Sequence, residues 1–452
     1  MQTIDLRGKT LDDPALRAAV PRPVIDIAVA TDAASSLIDD VRDRGAAALV
    51  DQAERFDGVR PAALRVPDAD IRSAVDALPS AVRVALERAI DRVRTVSTAQ
   101  VPSAASTRLA DGAIVDQRWQ PVGRAGLYVP GGKAPLASSV VMNAVPALVA
   151  GVESVALASP AQRANGGGVH PVILGAAGLV GIDEVYAIGG AGAIGALAYG
   201  VADIGLEPVD VITGPGNIYV AAAKRLVRGV VGIDAEAGTT EILVIADAAA
   251  DPLLVAADLL SQAEHDEAAA SLLVTDSPEL ASAVTGRLDE LVRATRNSER
   301  AAAALAGQQS AVVLVDDEAA AVRFSDAYAP EHLEVHTSDP TRTLAAIHNA
   351  GAIFLGSYSP VSLGDYLAGS NHVLPTGGSA RYSSGLGAYT FLRPQQIIRY
   401  DVDGLASVAG DVVELAAAEL LPAHGEAVSA RFAGTVSGAA PAVVRDGSDA
   451  LG

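Results

Sequence analysis

Two features of the chain predict an α/β fold. From about residue 155 onward, short β-branched runs alternate with Ala-rich stretches of helical spacing, the pattern of a parallel sheet covered by helices. Glycine-rich turns follow two of those runs, where a strand hands over to a helix. With 452 residues, half of them hydrophobic, the chain exceeds what one core normally holds, so two domains or more are expected.

Taken in order, residues 34–56 and 80–96 carry apolar positions at helical spacing with charges interleaved, which predicts a helix-rich N-terminal segment packed on a sheet. The very apolar stretch 138–159 is interrupted by Asn143, Pro146, Gly151 and Glu153, so it is read as buried core and not as a membrane span. Strands are predicted at 155–158, 184–188, 209–213, 242–246, 271–275, 311–315 and 352–355, with helices between most of them. Residues 356–394 are rich in Gly, Ser, Pro and Tyr without periodicity, more loop than structure alone requires. A last helix is expected at 412–432, and after about residue 433 the Ala, Gly, Ser and Asp composition predicts a disordered tail. No internal repeat of fixed period is visible.

Composition narrows the chemistry. Lys and Arg total 33 against 54 Asp and Glu, and the net charge of -21 disfavours nucleic acid and anionic membranes as partners. The opening residues show no basic region followed by an apolar stretch, so a cytoplasmic location is expected. There is no cysteine, which excludes thiolate nucleophiles, disulfides and thiolate metal sites. Any transition metal must use nitrogen and oxygen donors, and the seven histidines stand at 170, 265, 332, 336, 348, 372 and 424.

Six segments carry candidate chemistry. In Gln262-Ala263-Glu264-His265-Asp266, at the end of a helix that starts near Pro252, Gln262 and His265 share a face and offer half of a nitrogen/oxygen metal site, or a merely solvated helix end. Glu331 and His332 follow Pro330 directly, an acid and an imidazole suited to more than one proton transfer, or a capped turn before a strand at 333–336. The segment 364–378 presents Asp365, which could complete a metal site, with Asn371 and His372 among glycines that let backbone approach a ligand, or it is a structured surface loop. Glu419 precedes His424 by five residues around Pro422, and nothing local separates a ligand from an exposed histidine. Finally, Gly190-Ala191-Gly192-Ala193-Ile194-Gly195 fits GxGxxG after a strand, although Asp210 begins the next strand instead of ending it. Gly214-Pro215-Gly216-Asn217 is a second glycine turn, and the two together favour a nucleotide.

Read together, the segment 126–132 (Gly-Leu-Tyr-Val-Pro-Gly-Gly), the turn 214–217, the runs 261–266 and 331–334, and the stretch 364–378 resemble, in order and spacing, the histidinol dehydrogenase family across nearly the whole chain. The resemblance implies an α/β enzyme of two Rossmann-like domains with a helical N-terminal segment and a small C-terminal helical extension. It further implies a sequential NAD-dependent oxidation of L-histidinol to L-histidinaldehyde and L-histidine, the final step of histidine biosynthesis. Gln262, His265, Asp365 and His424 match the family's zinc ligands, one Zn2+ per subunit. Glu331 and His332 match its catalytic acid/base residues. Thr240, His372 and Glu419, with Gln262, His265, His332, Asp365 and His424, match substrate-contacting positions, and Tyr128, Gly192 and Asn217 match cofactor-contacting ones.

The layout implied is an N-terminal segment (1–20), a larger domain (21–126 with 238–386), a smaller NAD-side domain (127–237) and a dimerisation extension (387–432) before the tail. A homodimer with shared active sites is expected. The chain departs from the family where Gly192 replaces the usual glutamine, and where Gly238-Thr239-Thr240-Glu241 lacks a proline. A paralogous zinc- and NAD-dependent dehydrogenase of another small polyol is the alternative reading.

Overall fold

The computed structural model describes residues 1–23, 27–131, 134–236 and 238–433, and of residues 27–29 the backbone alone. Gly132 and the tail expected after residue 433 lie outside the described residues. The strands are β1 (Gln2–Asp5), β2 (Ala105–Ala110), β3 (Ala113–Pro121), β4 (Arg124–Tyr128), β5 (Ser154–Ser159), β6 (Val185–Ala187), β7 (Val211–Thr213) and β8 (Gly232–Ile233). They continue with β9 (Glu241–Ala246), β10 (Ala270–Thr275), β11 (Ala311–Leu314), β12 (His332–His336), β13 (Ala352–Leu355) and β14 (Leu392–Tyr400). All seven predicted strands form. The six missed were β1 to β4, β8 and β14: β4 is buried but has no β-branched residue, and the others are very short or mix polar and charged residues into the run.

Two parallel sheets and the helices on them confirm the α/β class. One has the order β1-β11-β10-β9-β12-β13 and the other β6-β5-β4-β7-β8, while β14, β3 and β2 make a third, small sheet. In the six-stranded sheet both faces are covered, so every residue of β9 is buried and the strand reads as an unbroken apolar run after its first residue. Alternation divides it: Ile242 and Val244 join the core under the helices Pro252–Ala263 and Pro278–Ala294, whereas Leu243 and Ile245 face Leu333, Val335 and Phe324. In the five-stranded sheet, the helix Gly190–Tyr199 after β6 packs against Ala34, Ile38 and Leu49 of the N-terminal helices Ile27–Arg44 and Ala46–Phe56.

The chain divides into two units, Met1–Val101 with Pro121–Leu392, and Pro102–Gln120 with everything from Arg393 onward. Both parallel sheets belong to the first. The second holds β2, most of β3 and β14, and the helices Val402–Ala418 and Pro422–Ser429. The single helix expected at 412–432 is thus broken: Leu420 adopts a left-handed φ of 58°, and Pro422 cannot continue the preceding helix. Little of this unit is buried; Gly404 and Ala416 are the buried residues of its longer helix, while Ile398, Val402, Leu415 and Leu420 are exposed. No helix among the described residues is long and apolar enough to cross a membrane.

Candidate active site

β9 and β12 are neighbours in register, His332 facing Ile242, so the residues that precede them come together at the amino edge of the sheet. Thr240 and Glu331 stand there. The helix Pro252–Ala263 begins beyond the carboxyl end of β9 and runs back, which delivers Gln262 to the same edge in its last turn. Side chains used for chemistry in open α/β sheets usually gather at the carboxyl edge. Here the return helix brings them to the opposite one.

The hydrogen bonds at this edge form a chain. The Gln262 amide nitrogen donates to the Thr240 hydroxyl at 2.6 Å, and that hydroxyl donates to the Glu331 carboxylate at 2.7 Å. The Glu241 backbone N–H donates to the same Glu331 oxygen at 2.9 Å. With its nitrogen engaged, Gln262 keeps its carbonyl oxygen as a donor atom for a ligand. Glu331 is nearly buried, and burial pushes its carboxyl up to about 7 against the pull of His332 and of its two hydrogen-bond donors.

His332 Nδ1 lies 3.1 Å from the Glu241 carbonyl oxygen and 3.5 Å from Glu331. A carbonyl can only accept, so Nδ1 carries the proton and Nε2 of the neutral ring is left as a base. The ring leans on Phe354, centroids 6.1 Å apart. The backbone N–H and C=O of one residue, Glu241, therefore align both candidate acid/base side chains.

His265 follows that helix directly, and its Nε2 is 3.9 Å from Asp365 Oδ2, on the helix Val361–Tyr366. His372 approaches Asp365 from the following loop, with Nδ1 3.1 Å from its backbone oxygen and Nε2 3.1 Å from the Ser139 hydroxyl. Burial, the largest influence on it, holds the His372 ring below the ordinary histidine value, hence neutral at pH 7. The structure thus gathers Thr240, Gln262 and Glu331 with His332, and Asp365 with His265 and His372. Glu419 and His424 stand exposed on the second unit, without side-chain partners among the described residues.

At the five-stranded sheet the strand order reverses beside β4, between β5 and β7, and the crevice outside the carboxyl ends at such a point is where α/β sheets bind nucleotides. Tyr128 ends β4, and its hydroxyl accepts the Gly190 N–H at 3.1 Å; burial pushes that hydroxyl up to about 12. Asn217 follows β7 and caps the helix Ile218–Val227 through the Tyr219 and Val220 N–H groups. Gly214 between them has φ 121°, and a Cβ there would overlap the Tyr128 carbonyl. A Cβ at Gly192 would overlap the buried Gln52 amide, which donates to the Leu37 carbonyl at 3.0 Å.

Sequence reasoning missed the support beneath the site. Arg22 makes two hydrogen bonds to the buried Glu241 carboxylate, at 2.7 and 2.9 Å, and lies 3.8 Å over the Tyr328 ring. The lone acid opening an otherwise apolar buried strand was a signal for Glu241. Arg22, 219 residues away in sequence, gave none.

Residues 20–432 match the model of the histidinol dehydrogenase family. The chain is 69% identical over 432 residues to the histidinol dehydrogenase of Leifsonia xyli subsp. xyli, covering 96% of this chain and 99% of that one. It is 55% identical to that of Nocardia farcinica over 95% of this chain and 97% of the relative. The crystal structure of histidinol dehydrogenase from Elizabethkingia anophelis superposes with a TM-score of 0.89 at 32% identity, over 96% of this chain and 98% of that one. The chain belongs to the histidinol dehydrogenase family, oxidoreductases of the final step of histidine biosynthesis.

Proposed function

We propose that the chain oxidises L-histidinol through L-histidinaldehyde to L-histidine with two NAD+, at a zinc-dependent site completed by a second copy of the chain. The observation that carries this reading is the chain of contacts from Gln262 through Thr240 to Glu331, beside a His332 whose Nε2 is free to act as base. In this reading Gln262, His265, Asp365 and His424 hold zinc, and the donor set fits: one amide oxygen, two imidazoles and a carboxylate, in a chain without thiolates. Tyr128, Asn217 and the turn at Gly192 face NAD+, at the crevice where strand order reverses. When bound, zinc fixes the amino and imidazole groups of the substrate, and NAD+ accepts the hydride.

The chain's own groups move the protons. His332 Nε2 takes the alcohol proton as the carbon–hydrogen bond is lost. Glu331, once ionised, takes a proton from water as the water oxygen bonds to the aldehyde carbon, and Thr240 keeps its carboxylate aimed. His372, Thr240 and Glu419 contact the substrate. The exposed apolar residues of the second unit, Ile398, Val402, Leu415 and Leu420, favour its docking on a partner chain, which would bring His424 and Glu419 to the neighbouring site. The six-stranded sheet then belongs to the larger, metal-bearing domain and the five-stranded sheet to the NAD-side domain of a cytoplasmic homodimer. The test is NADH production from histidinol by chelator-treated protein with and without added Zn2+. Activity should vanish and return, and full activity in metal-free protein would sink the reading.

A further inference from the structure

Behind His332, two more polar residues of β12 point the same way. Glu334 and His336 share its face by strand alternation and are turned toward the helix Pro252–Ala263, where Asp258 meets them one turn before Gln262. All three are buried: Glu334 is 0% exposed, His336 4% and Asp258 8%. One Glu334 oxygen accepts the Val361 N–H at 2.6 Å. The other, and both ring nitrogens of His336, have no hydrogen-bond partner among the described residues.

This is an unusual arrangement for a core. Two carboxylates removed from water require an opposite charge or a shared proton. No lysine or arginine among the described residues pairs with either, and the ring nitrogen Nε2 of His336 is their nearest neighbour of basic character, 3.3 Å from Glu334 and 3.8 Å from Asp258. The 3.3 Å pair nevertheless lacks hydrogen-bond geometry, as when both atoms aim at a third point. Two donors bound to one tetrahedral first-row ion at about 2.0–2.1 Å lie roughly 3.3 Å apart. The three donor atoms lie within 4.8 Å of one another.

We propose that Asp258, Glu334 and His336 form a second, buried metal site for a first-row divalent ion, separate from the Gln262, His265, Asp365 and His424 set. One imidazole and two carboxylates suit such an ion and neutralise its charge. Its position ties the helix that carries Gln262 to the strand that carries His332, so its role is to brace the site. No substrate step passes through it.

The test counts metal in chelator-stripped protein loaded with Co2+ and dialysed. The wild-type chain should retain two ions, and the chain with Asp365→Ala and His424→Ala should retain one, with a higher Tm in Co2+ than without it. Adding Glu334→Gln and His336→Gln should remove that ion and the Tm shift. The inference is overturned if the Asp365→Ala, His424→Ala chain holds no cobalt, or holds one that survives Glu334→Gln with His336→Gln. A wild-type chain with a single ion separates the two readings: loss through Asp365→Ala and His424→Ala sinks the buried site, and loss through Glu334→Gln and His336→Gln sinks the substrate-binding one. If the fourfold variant does not fold, X-ray absorption of cobalt in the Asp365→Ala, His424→Ala protein decides. With His265→Ala added, so that the first site has no imidazole left, one imidazole among oxygen ligands supports the buried site, and any other shell refutes it.

Discussion

Replacing Glu331 by glutamine should make the folded protein more stable at alkaline pH while disabling the second oxidation. Burial raises the Glu331 carboxyl from an ordinary 4.5 to about 7. The folded state therefore binds this proton more tightly than the unfolded chain does. Below 4.5 the group is protonated in both states and costs nothing; as pH rises to 7 the unfolded chain releases the proton first, and stability falls. Above 7 the whole penalty is present. At about 1.4 kcal/mol per pH unit it reaches about 3 kcal/mol, of which about 2–3 kcal/mol develops between pH 5 and pH 8.

The variant Glu331→Gln keeps an oxygen for the Thr240 hydroxyl and the Glu241 N–H, so the folded contacts survive and the ionisation penalty disappears. Urea or thermal unfolding of both proteins in chelator, at pH 5 and pH 8, measures the difference. It should grow by that amount in favour of the variant. A difference that stays constant, or favours the wild type more at pH 8, refutes the burial argument. In the same variant, histidinaldehyde oxidation should fall by roughly 10²–10⁴ and histidinol oxidation far less, because only the second stage needs activated water. Equal slowing of both stages would contradict the role given to Glu331.

Thr240→Val leaves the Gln262 amide and the Glu331 carboxylate each short of a partner, which should cost about 1–3 kcal/mol of stability. Loss of a bond that favours ionised Glu331 should also move the pH profile of aldehyde oxidation to higher pH, and an unmoved profile speaks against this link. Gly192→Gln must push Gln52 off the Leu37 carbonyl, so about 0.5–1.5 kcal/mol of stability should be lost, and any gain in NAD+ affinity should not exceed one hydrogen bond. A Tm that stays put would show that Gln52 yields without cost. Mixing inactive Asp365→Ala chains with inactive His424→Ala chains should restore part of the activity through mixed dimers. If subunits demonstrably exchange and the mixture stays inactive, the site is not shared.

Parallel strands are legible where they read as apolar runs, and β5, β6, β7, β9, β10, β11 and β13 were predicted, whereas β4, buried at the centre of its sheet but without a β-branched residue, was not. The break near Leu420 was missed although Pro422 marks it, since a proline opens a helix more readily than it continues one; only the left-handed backbone of Leu420 has no local signal. Glu331-His332 and Gln262-His265 stood out as adjacent or helix-spaced pairs in a chain with few histidines. Local pattern left each with an ordinary alternative, and the functional reading was what the resemblance, carried by the order of motifs along the whole chain, implied.

Residue types and spacing by themselves determined the α/β class and the exclusion of thiolate chemistry, and it was the family resemblance that implied one candidate set of Glu331, His332, Gln262, His265 and Asp365. Only the tertiary structure decided how those groups are tuned. Thr240 links Gln262 to Glu331 because β9 and β12 are neighbours; the Glu241 carbonyl sets the tautomer of His332; and Arg22 neutralises Glu241 from the other end of the sequence. Asp258 likewise lies far from Glu334 and His336 in the chain and meets them only where a helix crosses a strand. The reason is that covalent order fixes which groups exist, whereas pKa, tautomer and donor geometry depend on what burial places within a few ångströms, and most of those neighbours are distant in sequence.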